Sequence, residues 1–297
     1  MSAGEEWASL ASRSRAHTAT AQGSYREQKW VRRQKKVFKN WVNLRIAGRN
    51  VPPVKDLFVD LQDGWVMYHL CEALGGTSLR SLGKMSKGKM RLHHVANMNI
   101  VFKYLQLSAV PLIGIGPQDI VDGNPKLVLG MCWSIIVFFL AKELEAGGGG
   151  GINELKKKII GWANEHVGAD PELYGDQPVT NLTGDWQDGR VFSAILDSVA
   201  PEKYAFDRRP GEPQADTKRA IEAFDDAFGV QKLLDADDAD FADDLGDEKC
   251  TIPYLAELMR QLPPRKPRSR PPPSHFAATW LDKQGAAEAA ATLGAML

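Results

Sequence analysis

The sequence is poor in cysteine and has no net charge. Cys71, Cys132 and Cys250 are odd in number, far apart and set among apolar neighbours. That excludes a disulfide framework and offers no metal-ligand spacing; it suits reduced, buried thiols in a cytoplasmic protein. The 37 Lys and Arg balance the 37 Asp and Glu, so no global field recruits nucleic acid or membrane. The first residues carry Glu5, Glu6, Arg13 and Arg15 but no apolar core segment, which argues against a secretory signal. No Ser/His/Asp or Cys/His arrangement stands out, and His93-His94 lack partners at metal spacing. Gly114 to Asp119 (GIGPQD) has no strand before it and no third glycine, so it is not a dinucleotide loop. The acidic run that begins at Asp235 puts Ala239, Asp240 and Gly246 at the fifth, sixth and twelfth places of a calcium loop, where the chemistry needs oxygen ligands and a central glycine. We read that run as a solvated loop and expect no metal, no cofactor and no enzyme activity.

What the chain does have is one very apolar stretch, Ile120 to Leu144. From Lys126 to Leu140 apolar side chains fall on almost every helical face, with Leu127, Leu129, Met131, Trp133, Ile136, Phe139 and Leu140 spread around it. A helix apolar all round is buried or spans a membrane. The unbroken run is about fifteen residues against the roughly twenty that cross a bilayer, so a central core helix is expected, with part of one face left for a partner. Asp122-Gly123-Asn124-Pro125 is a turn followed by a helix start.

Charge is unevenly spread. Arg26, Lys29, Arg32, Arg33, Lys35, Lys36 and Lys39 crowd the start, in a stretch whose apolar residues (Val31, Val37, Phe38, Trp41, Leu44) keep a helical period. Asp and Glu crowd 235–248. A second helix is expected after Asp63, with Val66, Met67, Leu70 and Leu74 inward, stopped by Gly75-Gly76. A basic loop with Arg80, Lys84, Lys87, Lys89 and Arg91 leads into a third, His94 to Leu107.

After the glycine run Gly147–Gly151 the pattern starts again. Trp162 follows Trp41 by 121 residues, and Asp188-Gly189 follows Asp63-Gly64 by 125. An internal repeat of this length means two domains of one fold. The second copy of the central helix, ending at Leu262, looks weaker. Its apolar residues make one stripe, Glu257 and Arg260 lie on the other side, and Pro253 should kink it or mark its first turn. The expected division is a disordered segment 1–24, a first domain 25–146, a glycine linker 147–151, a second domain 152–262, a Pro/Arg-rich linker 263–274 and a short helical tail 275–297. Phe38, Trp41, Trp162 and Trp186 are expected in the cores.

Gln34 to Asn43 (QKKVFKNWVN) resembles the opening signature of actinin-type actin-binding domains, and Asp119 to Ile136 resembles their second signature. The chain therefore resembles the tandem calponin-homology proteins, its second repeat being most similar to filamin's. The resemblance implies an all-α fold of two compact helical bundles. It implies F-actin as partner, cytoplasmic and cytoskeleton-associated localisation, and a role in filament organisation or crosslinking. It places filament contacts on the first helix (Lys29, Arg32, Gln34, Lys35, Lys36, Lys39, Asn43) and on the apolar helix (Lys126, Leu127, Leu129, Gly130, Met131, Trp133), though Trp133 is also a core candidate. Two alternatives stand beside it. One is a scaffold for a kinase or microtubule component. The other is an adaptor for acidic, phosphoinositide-containing membrane, using the basic first helix and the Pro/Arg tail. Nucleic acid is not an expected partner.

Overall fold

The computed structural model describes residues 29–144, 151–168, 176–201, 203, 213–238 and 241–266. The N-terminal segment, most of the glycine linker and the C-terminal tail lie outside the described residues. Among the described residues every regular element is helical. The first domain comprises α1 (29–46), α2 (Leu57–Asp60), α3 (Trp65–Gly75), α4 (Arg91–Leu107), α5 (Pro117–Val121) and α6 (Pro125–Glu143), with a 3-10 turn at Leu79–Leu82. The second comprises α7 (Ile152–Val167), α8 (Arg190–Val199), α9 (Pro213–Phe228), α10 (Phe241–Leu245) and α11 (Glu248–Gln261), with a 3-10 turn at Gly184–Trp186.

The repeat is visible bond by bond. In the first domain Asn43 Nδ2 donates to the Val54 carbonyl at 2.9 Å and its Oδ1 accepts from the Val54 amide at 2.7 Å. In the second, Asn164 does the same with Val179 at 2.9 and 2.8 Å. Asp60 accepts from the Lys55 and Asp56 amides, and Asp185 from those of Thr180 and Asn181. Gly64 and Gly189 both hold left-handed backbone, φ 82° and 75°, just before α3 and α8. A Cβ on Gly64 would stand 3.0 Å from Asn97 Cβ, and one on Gly189 would stand 2.9 Å from the Thr217 amide. Glycine is needed there for both reasons. Asp63 and Asp188 sit one place earlier than a cap and accept from the Trp65 and Arg190 amides, each at 2.9 Å.

The apolar helix forms as the composition requires. Asn124 caps it, its side chain accepting from the Leu127 amide, and Pro125 occupies the first turn, where its missing N–H costs nothing. At 19 residues it is long and apolar enough to cross a membrane by length and composition alone. Here it is the core helix of the first domain: Val128, Leu129, Met131, Cys132, Ile135, Ile136, Phe139 and Leu140 are buried, while Leu127, Trp133, Val137 and Phe138 are only partly covered.

The second central helix departs from the expectation of a single inward stripe. Every residue of α11 from Cys250 to Leu258 is buried. Pro253 lies in its interior and does not end it, although its ring nitrogen offers no hydrogen to the Lys249 carbonyl. On the side that looked polar, Glu257 faces Arg45 of the first domain, while Arg260 stays exposed. Phe38, Trp41 and Trp186 are fully buried; Trp162 is not sealed, lying at a partly covered edge against the His166 ring, 5.0 Å between centroids. His166 bonds Ser198 Oγ at 2.6 Å, and burial, with a smaller effect from Arg265, pushes its pKa down to about 4. Of the Pro/Arg segment, Pro263–Lys266 lies back on the second domain, the Lys266 amide donating to the Ser198 carbonyl at 3.0 Å.

Candidate partner-binding face

α1 carries three faces. Val37, Phe38, Trp41 and Val42 point into the first domain. Lys29 and Arg32 are exposed. A third row, Arg33, Gln34, Lys36, Asn40 and Arg45, meets the second domain. Arg33 Nη1 reaches Asp243 at 3.2 Å and its Nε lies 3.9 Å from Asp244. Gln34 Nε2 donates to Asp247 at 2.8 Å. Lys36 Nζ donates to Asp238 at 2.6 Å and to Asp235 at 3.0 Å. Asn40 donates to the Leu233 carbonyl.

Burial disfavours the charged Lys36 ammonium, but the bonds and charges of Asp238 and Asp235 outweigh it, and its pKa is raised. Asp235 is held below the ordinary carboxylate range chiefly by Lys36. Such pairs are partly solvated, and each contributes on the order of 0–1 kcal/mol. Their number, not any one of them, makes the contact.

A deeper knot lies further along α1. Arg45 Nη2 donates to Glu257 at 2.5 Å and to Glu143 at 2.9 Å, and lies over the Trp41 ring, 5.2 Å from its centre. Glu257 is fully buried, with Arg260 at 2.6 Å and Gln261 at 3.0 Å completing its shell. A buried carboxylate is tolerable only when paired and hydrogen-bonded. Burial pushes the Glu143 carboxyl up, Arg45 opposes that shift and Glu257 adds to it.

The expected contact residues divide accordingly. Lys29, Arg32 and Lys126 are exposed; Lys39 is partly exposed and lines the cleft beside Lys232 and Asp237. Leu127 and Gly130 are partly covered, Gly130 by the Ile115 side chain. Lys35 pairs with Asp56 at 2.7 Å and lies over the Phe58 ring, within its own domain. Asn43 is the structural clamp on Val54 described above. Gln34 and Lys36 are covered by the second domain. Trp133 stacks on Phe38, 6.1 Å and 10° between planes, with Lys249 of the second domain 5.9 Å above it. Two residues are corrected: Leu129 and Met131, 2% and 0% exposed, belong to the core. On a helix apolar all round, spacing cannot say which side faces out.

Arg33, Asn40 and Arg45 were missed. The signal was present, because a basic helix and an acidic run in one neutral chain are complementary. Reading 235–248 as merely solvated hid it; the structure corrects that reading, since five of its aspartates face α1.

The calponin homology (CH) domain model matches this chain twice, over residues 32–141 and 153–263. The chain belongs to the calponin homology family. Rat utrophin is 36% identical over 235 residues, which is 77% of this chain and 6% of utrophin. Mouse microtubule-actin cross-linking factor 1 is 33% identical over 232 residues, 77% of this chain and 3% of its own. Drosophila dystrophin is 37% identical over 208 residues, 69% of this chain and 5% of its own. This chain thus spans a few per cent of the length of the curated relatives it matches. The crystal structure of the actin-crosslinking core of Schizosaccharomyces pombe fimbrin superposes with a TM-score of 0.62 at 20% identity, covering 80% of this chain and 51% of the crystallised core. At that identity the likeness speaks for the calponin homology fold alone.

Proposed function

We propose that this protein binds actin filaments through its first calponin homology domain and that the second domain regulates that contact by covering part of the face. The observation that carries the reading is the pairing of α1 with an acidic surface in cis. Asp235, Asp238, Asp243, Asp244 and Asp247 meet a row of α1 cations and amides. A helix face suited to one carboxylate-rich surface suits another, and an acidic filament would compete for it. Lys29, Arg32 and Lys126 remain exposed for first encounter in the closed arrangement, and the partly covered Leu127 gives short-range apolar contact. Two relatives fit the reading by name: one is called a microtubule-actin cross-linking factor, and the fimbrin fragment is called an actin-crosslinking core. The proposal includes a cytoskeletal location and a part in filament organisation. Crosslinking by this chain would require a second binding module, supplied by a dimer or by further sequence.

Co-sedimentation with actin filaments at low ionic strength tests it. Pelleting that weakens with salt supports it, and the double variant Lys29→Glu, Arg32→Glu should bind about tenfold more weakly, since each reversed charge alters long-range attraction. Failure of the folded protein to pellet at low salt removes the proposal.

A further inference from the structure

One long stretch of the first domain carries no acid at all. Between Glu72 and Asp119 there is not one Asp or Glu, while Arg80, Lys84, Lys87, Lys89, Arg91 and Lys103 all fall there. In a chain whose charges balance, this is a strong local excess. Arg91 is neutralised by a two-pronged pair with Asp122, at 2.8 and 2.7 Å. Arg80, Lys84, Lys87 and Lys89 are exposed, and among the described residues no carboxylate pairs with them. Two apolar side chains stand out between and beside them: Met90 is 65% exposed and Leu92 73%.

The loop that presents them is a fixed platform. Asn97 reaches out of α4 to bond the Ser86 amide at 2.7 Å and the Ser86 carbonyl at 3.0 Å, and ties both to the Asp63 carbonyl at 2.8 Å. Ser86 Oγ bonds His93 Nδ1 at 3.0 Å and accepts from the Gly88 amide. Gly88 lies so close to the His93 ring that a Cβ there would meet it at 2.1 Å. Backbone order is therefore spent before any partner arrives, which lowers the entropy lost on docking.

We infer that this ridge, Arg80, Lys84, Lys87, Lys89, Met90 and Leu92, is a docking surface for an anionic lipid membrane. Its composition decides between a membrane and a protein. Protein interfaces are depleted in Lys and enriched in aromatic residues and Arg; this ridge is rich in Lys, has one Arg and no aromatic residue. Lysines are mobile point charges that need no shaped acceptor, which suits a diffuse sheet of headgroups. Two exposed apolar side chains flanked by cations match shallow insertion at the headgroup boundary, where apolar burial and charge attraction add. The ridge shares no residue with the filament face proposed above, though the Arg91–Asp122 pair brings it close to the start of α6, so separate variants test the two apart.

The test is flotation of the whole chain with vesicles of phosphatidylcholine alone or with about one third phosphatidylserine. Binding is expected only with phosphatidylserine, and it should fall with salt. Lys84→Glu, Lys87→Glu, Lys89→Glu together should weaken it on the order of a hundredfold, about fivefold for each lysine near an anionic leaflet. Met90→Ser with Leu92→Ser, which keeps the charge, should weaken it several-fold. Both variants should retain the circular dichroism of the parent. No binding to phosphatidylserine vesicles overturns the inference. So does loss of binding in Lys29→Glu, Arg32→Glu with none in the lysine variant, which would move the contact to α1. So does a lysine variant that loses only filament pelleting, which would assign the ridge to an acidic protein.

Discussion

α6 and α11 occupy equivalent places in the two repeats, and their surroundings reverse what their sequences suggest. α6 is the more apolar of the two, yet Leu127, Trp133, Val137 and Phe138 remain partly uncovered. α11 carries Glu257, Arg260 and an internal proline, yet nine consecutive residues of it are buried. The lesson is that burial follows neighbours, not greasiness. α11 is wrapped because the first domain lies against its polar side and supplies Arg45 as a partner for Glu257. α6 keeps a partly open edge because its remaining side meets only part of the second domain.

The strongest way to break this comparison is to remove the partner that lets α11 be buried. Arg45→Met leaves Glu257 in the interior with only Arg260 and Gln261, and should cost about 3 kcal/mol in urea unfolding. Adding Glu257→Leu should recover most of that loss, because a buried pair replaced by apolar side chains is often neutral or stabilising. If the double variant is no better than the single one, the knot is not what holds α11.

On α6, Trp133→Ala removes the stack on Phe38 and should cost about 2 kcal/mol, less than a fully buried tryptophan because its outer face is open. Thermal unfolding measures it; a negligible shift would mean that Trp133 is a surface residue. Asn43→Ala and Asn164→Ala sharpen the comparison from the other side. They break the same clamp in the two repeats, so each should cost about 1–2 kcal/mol, and nearly the same amount. A large inequality would mean that the two frames are not equivalent.

The smallest effect is on pH. Asp235 is depressed by Lys36 in the closed arrangement, so its contribution is present above the ordinary aspartate range and is lost as pH falls through its lowered value. Lys36 is raised, so its contribution is present below the ordinary lysine value and is lost as pH rises through the raised one. Domain closure, followed by small-angle scattering, should therefore be constant around neutrality and loosen only at acid pH below the ordinary aspartate range and at alkaline pH above the ordinary lysine value.

Much of this fold was legible in the sequence because its signals are local. Left-handed glycines before α3 and α8, the tryptophans on α1 and α7 and the glycine run announce two copies of one bundle. The pairing of the copies was not legible, because it depends on residues some 200 positions apart. Glu257 read as a solvent-facing charge because period alone cannot distinguish water from a neighbouring arginine. Leu129 and Met131 read as contacts for the same reason: on a uniformly apolar helix, no stripe marks the outside.

The most direct test of the regulated-face account uses Asp235→Asn with Asp238→Asn, which loosens the second domain's hold on Lys36 and leaves every α1 side chain in place. Filament co-sedimentation of this variant beside the parent should show severalfold tighter binding, with greater extension in solution. Unchanged or weaker binding by a folded, more extended variant would contradict the claim that the second domain covers the face the filament uses.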